Sequence, residues 1–303
     1  DQLGAADRGG VDRDLVGARA QQPVDVGHRA HAAADGERDE DLLGGRGHDL
    51  HRGGAALVGG GDVEEGQLVG ALGVVELGQL IAGPFATALD AGPRNLVIRA
   101  AKALQDYLGT ERGARLRLTK MLPVASGIGG GSADAAATLR LLVRLWDVRV
   151  EPAELAALAL DLGSDVPACV ASVTQMVSGR GEELARHGVA GLEGRPMLMI
   201  NPGVAVSTAA VFAGWDRQDR GPLSADSIER LVTQGRNDLE EPAIALAPAI
   251  ADVLAMLNGQ AGLTLARMSG SGATCFALFD DDVAAIGADR PEWWIMETRI
   301  RSA

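Results

Sequence analysis

From Gly83 onward, apolar and polar positions recur at spacings that specify elements. In "RNLVIRAAKALQDYL", Leu96, Val97 or Ile98, Ala101, Leu104 and Leu108 fall near one helical face, with Asn95 standing where an N-cap belongs. "ARLRLTKML" alternates at Leu116 and Leu118 and then Met121, which predicts a strand ending near Lys120. A helix follows from about Ser132, with Leu139, Leu142, Val143 and Trp146 facing inward. "EPAELAALALDLG" predicts another, with Pro152 in its first turn, a stripe at Leu155, Leu158, Ala159 and Leu162, and Gly163 as its stop. "RPMLMINPG" reads as a buried strand closed by a turn, and "NDLEEPAIALAPAIADVLAMLNG" as two helical pieces broken near Pro248. "GLTLARMSGSGATCFALFD" reads as strand, Gly/Ser turn and strand. Strands and helices intermix, so the expected class is α+β, a mixed α/β chain.

Ahead of Gly83 the pattern fails. Residues 1–82 contain no Lys, Asn, Ser, Thr, Met, Cys, Phe, Tyr or Trp, and stretches such as "RAHAAADGERDEDLLGGRGHDL" hold neither period. A domain of that length ordinarily carries aromatic anchors and Ser, Thr or Asn caps and turns. The vocabulary is that of GC-rich codons. It reads as a wrong-frame or wrong-strand translation joined to a true coding region, the alternative being a natural low-complexity extension. The expected organisation is therefore 1–82 set apart, 83–189 as one domain and 190–303 as a second. His28 with His31, and His48 with His51, have i, i+3 spacing, but their Gly-rich flanks argue against the helices a zinc site would need. "VGGGDVEEG" has no strand before it and makes a weak phosphate loop.

Composition narrows the function classes. At 303 residues and 47% hydrophobic, the chain can fill real cores. A net charge of −13 and a pI near 4.8 oppose a sequence-independent nucleic-acid binder, so no nucleic-acid partner is expected. No apolar run reaches the length of a membrane span, so no membrane partner is expected. The acidic start lacks the compact apolar stretch of a secretory leader. Cys169 and Cys275 lie far apart without metal spacing, which suits a reducing cytoplasm and two small core residues. Nothing in the pattern fixes an oligomeric state.

The chemistry concentrates in "LPVASGIGGGSADAAATLRLL", Leu122 to Leu142, where Gly127, Gly129, Gly130 and Gly131 precede a helix. Glycine is costly to order, so four of them there need a reason. A helix N-terminus presents unpaired N–H groups and positive partial charge, and glycine lets backbone approach a ligand closely. Together these cradle phosphates; a merely tight strand-to-helix turn needs fewer glycines. A P-loop requires Lys after its last Gly, where Ser132 and Ala133 stand instead. A Rossmann fingerprint wants Gly at Ser132, and its acidic residue about 20 positions on would be Asp147, which follows a helical stripe rather than a strand. A branched side chain at Gly130 is expected to block ATP by preventing that approach.

The same stretch resembles the second motif of the GHMP kinases. "GPFATALDAGPRNLVIRAAKAL", "LGSDVPACV", "VSGRGEEL", "NPGVAVSTAAVF", "GRNDLE", "SGSGATCFALFD" and "PEWW" follow in the family's order. The GGGS-plus-acid variant is more similar to the branch acting on a cytidyl-methylerythritol in non-mevalonate isoprenoid synthesis than to homoserine or mevalonate kinases. The resemblance implies an ATP-binding α/β domain and a ferredoxin-like C-terminal domain, with the active site between them. It implies ATP and Mg²⁺ as cofactors and a small-molecule alcohol as substrate. Pro123, Val124, Ala125, Ser126, Gly127, Ile128, Gly129, Gly130, Gly131, Ser132 and Ala133 would wrap the ATP phosphates, with Ser132 near Mg²⁺. Asp165 in "GSDVP" would take the proton from the substrate hydroxyl; on its own, it equally suits a helix cap before Pro167. The "SGSG" turn, Ser269 to Gly272, would pack beside the loop or serve as a plain hairpin. Cys169 has no His partner nearby and reads as core.

One departure is plain. The family opens with an A-K-x-N-L motif, whose Lys assists phosphoryl transfer, and a D-G-Y-H motif with aromatic residues that hold cytidine. Neither has a counterpart before Gly83; the first Lys is Lys102 and the first Tyr is Tyr107. Two alternatives therefore stand beside the cytidyl reading: another kinase of the superfamily, such as a homoserine type, or a nucleotide-binding remnant without turnover.

Overall fold

A computed structural model describes residues 54–56, 77–186, 188–223, 226–282, 286–287 and 289–301. A short strand β1 (Gly54–Ala56) and a longer β2 (Leu77–Ala82) come first, followed by helix α1 (Leu96–Leu108) and strand β3 (Ala114–Thr119). Asn95 starts α1: its backbone is extended and its side-chain oxygen accepts from the Val97 N–H at 2.9 Å. Gly109 ends it in the left-handed conformation, φ 59°. The helix crosses between β2 and β3, which pair in parallel from Leu77–Ala114 to Ala82–Thr119. The last six residues of the segment set apart by composition thus belong to this sheet. The strand is hard to see in sequence because it continues an Ala/Gly/Val-rich run without a turn signal. The histidine pairs and the "VGGGDVEEG" run lie outside the described residues.

Helices α2 (Gly130–Leu145), α3 (Pro152–Leu162) and α4 (Val166–Ala171) complete the first core. Leu104, Leu116, Leu118, Leu139, Leu142, Trp146, Leu162 and Val166 are buried together. Each large aliphatic side chain there contributes about 1.5–3 kcal/mol by leaving water. The hairpin β4 (Gln175–Ser178) and β5 (Glu183–Arg186) follows, with β1 antiparallel to β4 on its other side. Met121, read with Leu116 and Leu118 in the strand pattern, is 42% exposed. The strand has already ended at Thr119, and Leu122 turns inward instead, into the next core.

That second core surrounds β6 (Pro196–Asn201), which leads through α5 (Thr208–Ala213), α6 (Ile228–Gln234), α7 (Glu240–Leu246) and α8 (Ala249–Asn258) to β7 (Leu263–Met268), β8 (Cys275–Phe279) and β9 (Trp294–Arg299). All neighbouring strands are antiparallel in the order β7-β8-β6-β9. By chain position that is second, third, first, fourth, the ferredoxin-like order. Pro248 separates α7 from α8, as its missing N–H requires. Every residue of β6 is buried because both faces are covered. Leu198 and Ile200 pack under Ala243, Ile250, Val253 and Leu257, while Met197 and Met199 share a cluster with Leu122 and Ile128. The glycine loop is therefore pinned to the C-terminal sheet by two apolar side chains.

Candidate active site

The loop between β3 and α2 presents backbone more than side chains. Gly127 and Gly129 sit at φ 77° and 66°, and Ala125 at φ 51°. Gly129 is the N-cap of α2 and supplies no side-chain cap, and no acidic residue stands in the first turn. Asn95, Ser207 and Ser227 cap α1, α5 and α6, whereas α3, α4, α7 and α8 share with α2 the lack of a side-chain cap. The α2 N-terminus is left without a side-chain acceptor, which is what an incoming phosphate needs. Ser126 hydrogen-bonds to the Pro123 carbonyl at 2.7 Å, closing the loop on itself, and Ile128 is only 2% exposed. Pro123 and Val124 form the partly buried entry to the loop. Gly131 is exposed, and a Cβ there would meet only a Leu96 methyl at 3.4 Å. Ser132 is buried in the first turn of the helix, with Ala133 following it half-buried.

Gly130 faces the other way. A Cβ there would lie 3.2 Å from Lys120 Nζ, beneath the loop, so a branched residue would press on the lysine before it reached a phosphate. Lys120 directly follows β3. It is 3% exposed and bonds Asp134 Oδ2 at 2.7 Å, joining β3 to the first turns of α2 from below. The other oxygen, Asp134 Oδ1, is buried with no protein partner. Burial pushes the Asp134 carboxyl up, and the Lys120 charge and hydrogen bond oppose that shift. The i, i+14 separation carries no periodic signal, so only the fold reveals the pair.

Asp165 stands at the start of α4, yet its side chain makes no cap hydrogen bond. Burial alone raises its carboxyl above the ordinary range. The neighbouring Ser164 hydroxyl is buried without a partner, and the turn between β4 and β5 closes over it: a Cβ on Gly181 would approach the Ser164 carbonyl to 2.1 Å. The Cys169 thiol is pushed well up, first by burial and next by Asp165, with Arg140 opposing and Asp134 adding to it. Helix α4 packs on α2, with Val166, Ala168 and Cys169 buried among Ala135, Ala136 and Leu139 and Arg140 donating to the Cys169 carbonyl at 2.8 Å. Cys169 is a protonated core residue, as its lack of a His partner implied. Asp147 follows α2 and ends no strand, so the dinucleotide-type reading falls away.

The "SGSG" segment packs directly on the loop. Ser269 Oγ donates to the Gly127 carbonyl at 2.7 Å, and the Thr274 N–H donates to Ser126 O at 3.2 Å. A Cβ at Gly127 would meet the Ser269 carbonyl at 2.4 Å, so only glycine fits between the two segments. Residues 95–172 match the family model for the GHMP kinases N terminal domain, and residues 223–292 match that for the GHMP kinases C terminal. The 4-diphosphocytidyl-2-C-methyl-D-erythritol kinase of Rhizorhabdus wittichii is 49% identical over 230 residues, spanning 73% of this chain and 78% of that one. The chain belongs to the GHMP kinases.

Within the GHMP kinases its similarity runs to one branch. The Sphingopyxis alaskensis 4-diphosphocytidyl-2-C-methyl-D-erythritol kinase is 47% identical over 257 residues, covering 81% of this chain and 88% of its own length. A crystal structure of 4-(cytidine 5'-diphospho)-2C-methyl-D-erythritol kinase is 32% identical with a TM-score of 0.54, covering 68% of this chain and 74% of that chain. This GHMP kinase is accordingly a small-molecule kinase, a transferase. Its two lysines are both engaged: Lys102 is exposed and pairs with Asp106 at 2.8 Å, and Lys120 is buried with Asp134. Among the described residues no group of three His, Cys, Asp or Glu side chains is placed to hold a metal ion, and no helix is long and apolar enough to cross a membrane.

Proposed function

We propose that the chain moves the γ-phosphate of ATP to the 2-hydroxyl of 4-diphosphocytidyl-2-C-methyl-D-erythritol, a step of non-mevalonate isoprenoid precursor synthesis. The observation that carries this is the uncapped N-terminus of α2 behind a glycine loop clamped between two cores. Phosphoryl transfer asks a protein for positioning and electrostatic stabilisation more than for covalent chemistry. Residues 123–133 supply the cradle: backbone N–H groups and the positive end of α2 face the phosphates. Asp165, whose side chain makes no cap hydrogen bond and is made more basic by burial, takes the substrate hydroxyl proton as that oxygen attacks. Mg²⁺ keeps most of its waters and rides on substrate phosphates, so a thin protein donor set suits it, and the Ser132 hydroxyl would be its protein oxygen. When bound, the ion neutralises charge on the phosphates. Two buried, unpaired cysteines support a reducing, cytoplasmic setting.

In this proposal residues 83–189 with β2 form the ATP-binding part and residues 190–303 the second domain, while the A-K-x-N-L and D-G-Y-H motifs of the family's start have no counterpart before Leu77. A second reading, nucleotide binding without turnover, is favoured by one observation: both lysines stand in ion pairs with aspartates, one at the surface and one buried. ADP release, measured with the cytidyl substrate and separately with homoserine, distinguishes the readings. Release with the cytidyl substrate alone supports the proposal. Release with homoserine alone overturns the substrate assignment, and ATP binding without release with either favours the second reading.

A further inference from the structure

Two glycine-rich segments press on each other at the candidate site, residues 127–131 and 270–272. Glycine has little conformational preference of its own, so the exact placement of the two segments against each other depends on the contacts that hold them. Asn237 provides the tie. Its Nδ2 donates to the Met268 carbonyl at 3.0 Å and to the Gly270 carbonyl at 2.8 Å, while its Oδ1 accepts from the Leu239 N–H at 3.0 Å. Glu240 Oε2 accepts from the Met268 N–H at 3.2 Å, three residues along the same turn. Leu239, Ala243 and Ile250, which follow, are buried against the C-terminal sheet. The tied segment then reaches the loop through Ser269 Oγ on the Gly127 carbonyl at 2.7 Å, and Gly270 backs against Gly127, where a Cβ would come within 2.7 Å of the Gly127 carbonyl.

We infer that Asn237 is a positioning residue for the phosphate loop, setting its shape through Met268–Gly270 and Ser269 from the opposite domain. The inference rests on the reading that residues 123–133 hold phosphates. Asn237 touches no reacting group in this arrangement; it uses both N–H bonds and the oxygen of its amide to tie the β7–β8 turn, which closes on itself through the Ser269 N–H on the Thr274 carbonyl at 2.8 Å, to the start of α7. Aspartate keeps the acceptor for Leu239 but supplies neither donor and turns a charge toward two carbonyls, so it removes the tie with little change in size.

The test compares the full chain with Asn237→Asp, Ser269→Ala, the double variant, and Asn258→Ala. Asn258 bonds the Leu254 carbonyl at 2.8 Å within α8, away from the loop, and controls for general loss of stability. Amide hydrogen exchange across residues 126–131 is read first, because it needs no nucleotide. Exchange there should quicken about tenfold in Asn237→Asp, an opening equilibrium shifted by about 1.4 kcal/mol. It should quicken little further in the double variant, since both changes cut one connection. Asn258→Ala should leave the loop as in the parent. ATP affinity by calorimetry should fall about tenfold for Asn237→Asp with adenosine affinity unchanged. Unchanged loop exchange in Asn237→Asp, or equal quickening in Asn258→Ala, overturns the inference. If the loop loosens but the parent chain binds no ATP, the tie stands and the phosphate reading falls. If ATP binds and the loop does not loosen, the reverse holds.

Discussion

Asp165 and Lys120 show how burial sets the work of single residues. Asp165 reads in sequence as a cap, and its side chain makes no cap. Its carboxyl is raised by burial, so the folded chain holds that proton more tightly than the unfolded chain does. Above the raised folded value the ionised carboxylate opposes folding; the penalty fades as pH falls through that value and is gone below the unfolded value of about 3.9. Asp165→Asn should therefore raise the melting temperature at pH 8 and lose that advantage as pH is lowered. A constant advantage at every pH would assign the effect to packing. In a chain carrying the family's Lys motif, the same variant should cut turnover about 10²–10⁴-fold with ATP affinity near normal. A loss of less than a few-fold would leave Asp165 without a role as base. The buried Lys120–Asp134 pair gives the second residue-scale prediction. Lys120→Met strands a buried carboxylate and should cost about 3–5 kcal/mol by denaturant melts, whereas adding Asp134→Leu should recover most of it. Equal instability of the single and double variants would show that the site needs the charges themselves.

The elements that sequence made legible are those whose signal is local. Asn95, the stripe of α1, the alternation of Leu116 and Leu118, Pro152 and Pro248 each act within one or two turns, and each lies where the pattern puts it. The loop itself was legible because glycines at that density have few other uses. Its supports were not. Lys120 meets Asp134 across 14 positions and Asn237 meets Gly270 across 33, and no period links residues so separated. β2 was missed because its six residues continue a biased run. The structure also redirects the test of the loop from Gly130, which faces Lys120, to the exposed Gly131, where a Cβ would meet only a Leu96 methyl in ordinary contact. Gly131→Val should leave the melting temperature within a few degrees and abolish measurable ATP binding, its side chain filling the space a phosphate would take. Gly127→Ala should instead destabilise the fold, since a Cβ there collides with the Ser269 and Gly272 backbone at 2.4 and 2.7 Å. Full ATP affinity in Gly131→Val would show that phosphates lie elsewhere.

At the scale of the whole molecule, the site is a joint between two cores. The first supplies α2, Asp165 and the Lys120–Asp134 pair; the second holds the loop from behind through Leu122, Ile128 and the 268–274 segment. Both lysines of the chain stand in ion pairs, Lys102 with Asp106 at the surface and Lys120 with Asp134 beneath the loop. Positive charge set against the transferring group is a large part of catalysis in such sites. The most direct measurement is formation of phosphorylated product from ATP, Mg²⁺ and 4-diphosphocytidyl-2-C-methyl-D-erythritol. It compares this chain with one in which a family start bearing the A-K-x-N-L and D-G-Y-H motifs replaces the residues before Leu77. The restored chain should turn over, and this chain should bind ATP yet form product far more slowly. Comparable rates from the two would contradict the account and place a substitute for the family's lysine within this chain's own first 76 residues.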